Sequence, residues 1–590
     1  MTTTSTLKRK TRRPPVAVRK AKREAQRQID QLTDQIMTQG QQQEALAKAA
    51  AAVTQGYLTD AEVLAWRQEF NARLNTLLQH SEQNLGFAEE ELAPLGNQLL
   101  RLGAERLAQA KANATPCRCL QCDLELEHQK YLSRKIDSRF GRLLIFRLYG
   151  QCPGCDQWHF PADHALGLQA NAPASPYVQE ISAVLVTKMP PEQACAVAQR
   201  LGLDLSRCFL DREAHRQGLK AQAARTAFTA QLDSLEGLQK LPRATDGPPT
   251  QPFTLVMEID AWNIRERDDW GLTKQLREQG EDHSRWHWVY MGTVFRLDHC
   301  GQTAGQRAFI SQRGYVATRL GIEDLLRQLY REALERGLGQ AQDVLVLADG
   351  AAWIWNAFQD RFPGARQRLD LWHAEEHLWA VANDLYGKST PEARAFVAPL
   401  LQQLRADQPL QVIQSLTDLK PRLQSALSEK VQKQIEYFSD HKNRMNYKEL
   451  IEARKACDAG KATPKQVVKA QEPLGSGAIE STCRQYQCRF KRTGQFWTTD
   501  GDEALMCLET FWRNDRWHVL YPHVNHLKRN LPALNCPPPR STGPKFPAPH
   551  QRLLDLTPLP LWKQQAPKGD GSFRVAVPSR PVDFGEFFAN

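Results

Sequence analysis

At 590 residues, 41% of them hydrophobic, the chain is long enough for several domains and apolar enough to bury real cores. No stretch approaches the ~20 apolar residues of a membrane helix and the N-terminus lacks a secretory core, so the protein is expected to be soluble, cytoplasmic and without a membrane partner. The net charge of +11 comes from 77 Lys and Arg against 66 Asp and Glu, and its distribution matters more than its size. Thirteen cysteines, an odd number with no export signal, argue against a disulfide framework and point to metal binding where they cluster.

Residues 1–30 carry ten Lys and Arg against Glu24 and Asp30. They read as a disordered basic arm suited to nucleic-acid backbones, with a merely solubilising tail as the alternative. From about Gln26 to Lys111 the sequence is rich in Gln, Ala, Leu and Glu, with helical spacing at Ile29, Leu32 and Ile36 and at Leu95, Leu99 and Leu102, which marks residues 31–112 as a helical region. A helical hairpin or a coiled coil for self-association is expected there. Residues 113–168 contain two C-x-x-C knuckles, Cys119 with Cys122 and Cys152 with Cys155, around a β-rich stretch. Four thiolates in that pattern can close tetrahedrally on a structural Zn²⁺ as a zinc ribbon, with Cys117 a spare and His159 or His164 a substitute ligand. In residues 176–240 a helix from Pro191, a turn at Gly202 and a second helix capped by Asp204 or Ser206 follow helix-turn-helix logic. The second helix offers Arg207, Arg212 and Arg216 to a DNA groove.

Beyond a Pro/Gly linker, strands are expected at Phe253–Glu258, Trp286–Phe295 and Arg307–Val316, then a helix at Ile322–Arg336, a strand at Val344–Leu347 and a helix at Trp353–Phe362. The first and fourth strands end in acids, Asp260 and Asp349. Glu258 shares a face with Asp260 by the two-residue strand period and is an alternative ligand. Asp268 and Asp269 read as solvated loop acids. In Gly475-Ser476-Gly477-Ala478-Ile479-Glu480, Ser476 can cap a helix on which Glu480, Arg484, Gln487 and Lys491 share one face. One acid with two bases suits a metal beside a phosphate chain. Hard oxygen ligands favour two Mg²⁺ or Mn²⁺ ions roughly 4 Å apart, as used in phosphoryl transfer. Trp353, Trp355 and Trp372 read as core, and His373 and His377 stand one helical turn apart. The helix-rich interval at residues 386–470 separates Glu480 from the strands; its Lys442–Tyr447 stretch is expected to meet DNA or to brace the core. Residues 530–590 form a Pro-rich extended tail.

The series Asp260, Asp349, Glu480 resembles the DDE triad of RNase H-like transposases. Met257–Asp260, Leu347–Gly350, Leu369–His377 and Gly475–Glu480 are similar to the ISKra-type group of insertion-sequence transposases, and the likeness spans residues 119–517. Asp370-Leu371-Trp372-His373 matches the C/D-x-x-H signature of Mutator-like and hAT-like transposases. The resemblance implies a multidomain α+β protein. Its RNase H-like α/β catalytic core would occupy residues 250–385 and 471–525 around a helical insertion at 386–470, preceded by helical, zinc-ribbon and helix-turn-helix modules. It implies a DNA transposase that binds terminal repeats and performs metal-dependent cleavage and strand transfer on double-stranded DNA, as a homo-oligomer in the nucleoid. It also favours Asp260 over Glu258. His373 and His377 could form half of a metal site, but without further nearby ligands a role behind the metal ligands or facing DNA is expected, shared by Asp370. The alternatives are an RNase H-like nuclease without joining activity and a domesticated DNA-binding regulator.

Overall fold

In the computed structural model, residues 39–53, 56–79, 84–241, 252–267, 272–280, 285–302, 308–493 and 495–522 are described. The basic arm, the apolar positions Ile29, Leu32 and Ile36, the loop acids Asp268 and Asp269, and the Pro-rich tail lie outside them. The chain is mixed α+β. Among the described residues no helix is long and apolar enough to cross a membrane.

Three helices come first, α1 (Gln39–Ala51), α2 (Asp60–Gln79) and α3 (Leu85–Ala114). Asn84 caps α3 by accepting the Phe87 amide at 3.1 Å. The Trp66 indole donates to the Leu95 carbonyl at 2.8 Å and Arg106 pairs with Glu62, so α2 and α3 form a helical hairpin. The antiparallel strands β1 (Glu127–Ser138) and β2 (Gly141–Gln151) follow, and β3 (Trp158–His159) joins the free side of β2.

Helices α4 (Pro176–Lys188), α5 (Pro191–Arg200) and α6 (Arg207–Ala230) come next. Ser206, not Asp204, caps α6, accepting the Phe209 amide at 3.2 Å. Val178, Leu210 and Ala221 from these helices share one apolar cluster with Trp262, Ile264, Tyr486 and Phe490. The segment is therefore packed onto the central sheet and is not a separate bead on the chain.

That sheet has five strands in the order β8–β7–β4–β5–β6, where β4 is Thr254–Glu266, β5 Arg285–Arg296, β6 Gly314–Thr318, β7 Asp343–Ala348 and β8 Arg366–Leu369. β4 pairs antiparallel with β5 and β5 with β6, while β7 runs parallel to β4 and β8 parallel to β7. The first and fourth strands of the expected series are thus neighbours. The single strand expected at 307–316 is instead two: Ala308–Ile310 makes a small ladder with Cys300–Gln302, and only Gly314–Thr318 enters the main sheet. The Ser311–Arg313 turn between them breaks the run. Helices α7 (Ile322–Glu335) and α8 (Ala352–Arg361) cover one face through Leu255, Met257 and Ile259. Val256, Trp262 and Ile264 turn the opposite way. Burial on both faces is why β4 and β7 read as nearly unbroken apolar runs.

After β8 comes α9 (Leu371–Tyr386), then four long helices at residues 391–458: α10 (Pro391–Arg405), α11 (Pro409–Leu419), α12 (Ser425–His441) and α13 (Lys448–Asp458). A short helix, Pro464–Ala470, leads back to α14 (Gly477–Phe490), and α15 (Thr499–Arg513) closes the far side. The stretch flagged at Lys442–Tyr447 braces the core: Arg444 Nε donates to Gln367 at 2.7 Å and its guanidinium covers the Trp355 ring at 4.6 Å. Of the three tryptophans expected inside, Trp355 is buried and Trp353 packs edge-on against Tyr290, but Trp372 is 56% exposed. Helix α9 turns its Leu371, Ala374 and Leu378 stripe inward and leaves position 372 at its outer edge.

The return from the helical excursion is fastened by ion pairs. Glu472, buried at 7% side-chain exposure, bonds Arg368 at 2.6 Å and Arg366 at 2.9 Å on β8. Burial alone would raise its pKa, but Arg366 and Arg368 bring it down to about 2. Removing one partner strands the wholly buried Arg368 guanidinium, so Glu472→Gln is expected to cost about 3–5 kcal/mol in a denaturant titration. Because the folded pKa is depressed from 4.5, this contribution is present above pH 4.5 and is lost as pH falls toward 2. Glu472→Gln should show a correspondingly flatter acid limb.

Candidate functional site

The parallel register assembles acids along one edge of the sheet. Thr254 lies opposite Asp343 and Glu258 opposite Leu347, so two further steps bring Asp349 across from Asp260. Leu369 lies opposite Ala348, so one further step brings Asp370 across from Asp349. Neighbouring strands are about 4.8 Å apart. Asp349 and Asp370 just follow the ends of β7 and β8, whereas Asp260 lies midway along β4, which does not stop near Glu258 as expected but runs on to Glu266 paired with β5; three carboxylates thus stand on three adjacent parallel strands.

Each is aimed by its local backbone. Asp260 Oδ1 accepts the Ala261 amide at 2.6 Å, and its carboxylate meets the Cys483 thiol of α14. Asp349 Oδ1 accepts the Ala351 amide at 3.0 Å. Gly350 follows with φ 106°, a left-handed conformation, and a Cβ there would lie 2.8 Å from the Tyr437 ring. The Tyr437 hydroxyl, on α12, donates to the Asp349 carbonyl at 3.1 Å, so the helical excursion braces the loop of the second acid. Asp370 is wholly buried: Oδ1 accepts the Trp372 and His373 amides at 2.7 and 3.2 Å, and Oδ2 accepts the Ser476 amide and hydroxyl at 2.5 and 2.7 Å.

Glu480 comes to this edge on the first turn of α14. Ser476 precedes that helix as expected but does not cap it with its side chain, since its hydroxyl is committed to Asp370. Glu480 Oε1 lies 3.3 Å from Ser476 Oγ and 3.8 Å from His373 Nε2. Burial raises the pKa of Glu480, and the charges of Asp370 and Asp260 add to the rise while His373 opposes it. Asp260 is likewise raised, by burial first and then by Asp349, with His373 again opposing. Like charges held together in a cleft mark a site that gains from a cation.

Asp260 feels the charge of Asp349 and Glu480 that of Asp260, but among the described residues these three acids do not form one tight ligand group. Among the described residues, the carboxylate-bearing group whose ligand atoms all fall within 4.8 Å of one another is Asp370, His373 and Glu480. Asp260 and Asp349 stand outside that group, and the Glu480 side chain lies toward His373. His377 faces away: its ring stacks on Tyr437 at 3.6 Å and Nδ1 shares a 2.6 Å hydrogen bond with Gln434.

Glu258 has a different role from that of a rim ligand. It is wholly buried beneath the acids; Oε2 accepts the Ile479 amide at 2.7 Å and Oε1 has no hydrogen-bond partner. Burial, with added repulsion from Asp370 and Glu480, pushes its pKa up to about 8. The two-residue alternation with Asp260 was visible in the sequence; the helix end that covers Glu258 was not.

The basic candidates divide. Arg484 is exposed on α14 with Glu480, while Lys491, expected on the same face, is exposed just past the helix, which ends at Phe490. Arg207 and Arg212 are exposed on α6, where Arg207 also bonds Glu192 at 2.6 Å. Arg216 is turned inward onto the buried Glu213.

A second cluster lies in the N-terminal part. The Sγ atoms of Cys119, Cys122, Cys152 and Cys155 all fall within 4.8 Å of one another, close enough to ligate a single ion. Both knuckles are built alike: Gln121 and Cys122 amides point at Cys119 Sγ at 3.4 Å, and the Gly154 amide at Cys152 Sγ at 3.3 Å. Each closes on a left-handed aspartate, Asp123 (φ 53°) or Asp156 (φ 58°). The Cys122 amide is the main cause bringing the Cys119 thiol down to about 7, which favours the thiolate that binds metal. His159 Nε2 sits 3.4 Å from both Cys119 and Cys155, beside the four sulfurs. Cys117 is not part of the four-sulfur group.

No protein-family model matches the sequence, and no curated protein matches it either.

The local core here is Cys119, Leu126 and Cys152, so the sulfurs themselves fill the space a larger apolar core would occupy. Purified protein should carry one tightly held ion per chain in this cluster by elemental analysis. Cys152→Ser should lose it, and residues 117–159 should then become the first region to exchange amide hydrogens.

Proposed function

We propose that the chain is a DNA transposase with an RNase H-like core, similar to the ISKra-type group, whose Asp260, Asp349 and Glu480 form a DDE triad. The observation that carries this reading is the convergence of acids from β4, β7 and α14 at one edge of a sheet ordered β8–β7–β4–β5–β6. Three antiparallel strands followed by two parallel ones, with the first and fourth adjacent, is the arrangement the reading requires.

The donor set fits a hard divalent ion: partly buried carboxylates, Asp260 and Glu480 held above their usual pKa by burial and by neighbouring acids, with oxygen atoms free of basic side-chain partners at Asp260 and Asp349. Asp260, Asp349 and Glu480 would hold Mg²⁺ or Mn²⁺, which supplies activation of an attacking oxygen and stabilisation of the leaving one. The protein's own part is to place and neutralise. Arg484, one turn beyond Glu480 on α14, and Lys491, just past the end of that helix, meet the phosphates flanking the scissile one. Exposed Arg207 and Arg212 on α6 serve DNA recognition. Water attacks a phosphodiester to free a 3′-hydroxyl, and that hydroxyl attacks target DNA in a second transfer at the same site. The four-thiolate cluster, closed and distant in sequence from the acids, suits structural Zn²⁺. Pairing two DNA ends implies at least a dimer.

The test is cleavage and joining of element-end DNA. Asp349→Asn should lower cleavage by at least about a thousandfold while changing DNA affinity less than about twofold, since the acid acts in the chemical step. Wild-type protein should join a pre-nicked end to plasmid DNA. Cleavage retained by Asp349→Asn removes that acid from the site, and cutting without joining replaces the transposase by a nuclease.

A further inference from the structure

Asp370 and its neighbours were identified above by position; their hydrogen bonds carry a more specific role. The ligand-capable atoms of Asp370, His373 and Glu480 lie within 4.8 Å of one another, which on distance alone makes Asp370 a fourth metal ligand. Its hydrogen bonds argue otherwise. A carboxylate offers about four lone-pair positions. Here two are taken by the Trp372 and His373 amides at the start of α9 and two by the amide and hydroxyl of Ser476 before α14. The side chain is wholly buried and saturated.

The surrounding backbone is built for this contact. The Leu371 amide donates to the Leu474 carbonyl at 3.1 Å, zipping residues 370–373 to residues 474–476. At Gly475 a Cβ would lie 2.7 Å from Trp372 Cδ1 and 2.8 Å from Asp370 Oδ2, so only glycine permits the approach. Glu480 sits one helical turn beyond Ser476 and touches both the Ser476 hydroxyl and, through Oε1, His373. The Ile479 amide is pinned separately by Glu258.

We propose that Asp370 is a positioning residue, not a metal ligand: it clamps the N-termini of α9 and α14 together through Ser476 and so delivers Glu480 to the metal site. His373, on the same turn as the clamp, steadies the Glu480 carboxylate directly. This rests on the reading of Asp260, Asp349 and Glu480 as metal ligands.

The test uses full-length protein with its cysteine site loaded, titrated with Mn²⁺ alone and followed by electron paramagnetic resonance. A clamp predicts that Asp370→Asn and Ser476→Ala each weaken Mn²⁺ binding, the former by about 10- to 100-fold as for other groups that orient ligands. The double variant should be no weaker than Asp370→Asn alone, and Ser476→Thr, which keeps the hydroxyl, should recover most of the affinity. In an Asp370→Asn background, Glu480→Gln should add little, because the carboxylate is already misplaced. Hydrogen exchange of residues 476–480 should quicken in Asp370→Asn while β4 and β7 stay protected, which separates loss of the clamp from loss of the fold. If Ser476→Ala binds Mn²⁺ like wild type while Asp370→Asn does not, Asp370 is a ligand and the clamp is wrong. If wild type binds no Mn²⁺ outside the cysteine cluster, the metal-site reading fails and the positioning role fails with it; unchanged exchange at 476–480 in Asp370→Asn refutes the clamp itself.

Discussion

The seating of one helix end on the sheet edge governs the rest of the site. The start of α14 places amides on two buried acids that flank β7: Ser476 on Asp370, just past β8, and Ile479 on Glu258 of β4. Helix N-termini attract negative charge, and here the unpaired amides of both α9 and α14 find carboxylates without any basic side chain between them. Over a hundred residues of chain separate β8 from α14, so this seat, with the Glu472 ion pairs just before it, decides where a long excursion returns. Without it Glu480 has no fixed relation to Asp260 or Asp349.

The second constraint is electrostatic. Asp260, Asp349, Asp370, Glu258 and Glu480 crowd one edge, while the basic side chains that oppose them are His373 and, near Glu258, Arg313. Such an arrangement is costly by itself and is sustained by packing: the apolar faces of β4 and β7 are covered on both sides, and Tyr437 ties the Asp349 loop to the helical excursion. The lean of Glu480 toward His373 belongs to the same balance, because the imidazole is the nearest group able to offset it.

Much of this was legible in the sequence where local pattern and tertiary role coincide. An apolar run ending in an acid marked β7 and the first half of β4, which the structure extends past Asp260 to Glu266, and the continuation of one register placed their acids side by side. The C-x-x-C knuckles announced a four-sulfur cluster because the spacing itself makes the turn. Contacts between distant segments were not legible. Nothing local in Tyr437 points to the Asp349 carbonyl, and the Ser476 hydroxyl looked like an ordinary cap until Asp370 was found beneath it. Amphipathic spacing identified α5 and α6 but not that they share a core with Trp262 and Phe490, since the same stripe serves an independent domain or a docked one. Trp372 lies outside for a related reason: an aromatic residue is usually core, yet α9 turns its Leu371, Ala374 and Leu378 stripe inward and leaves position 372 exposed.

Anomalous diffraction from crystals grown with Mn²⁺ tests the triad most directly. Manganese should appear between the carboxylates of Asp260 and Asp349 with Glu480 turned from His373 to reach it, and with Asp370 still hydrogen-bonded to Ser476. An ion held by Asp370, His373 and Glu480 alone, or no ion at this edge at saturating Mn²⁺, would contradict the assignment of the three acids to one catalytic site.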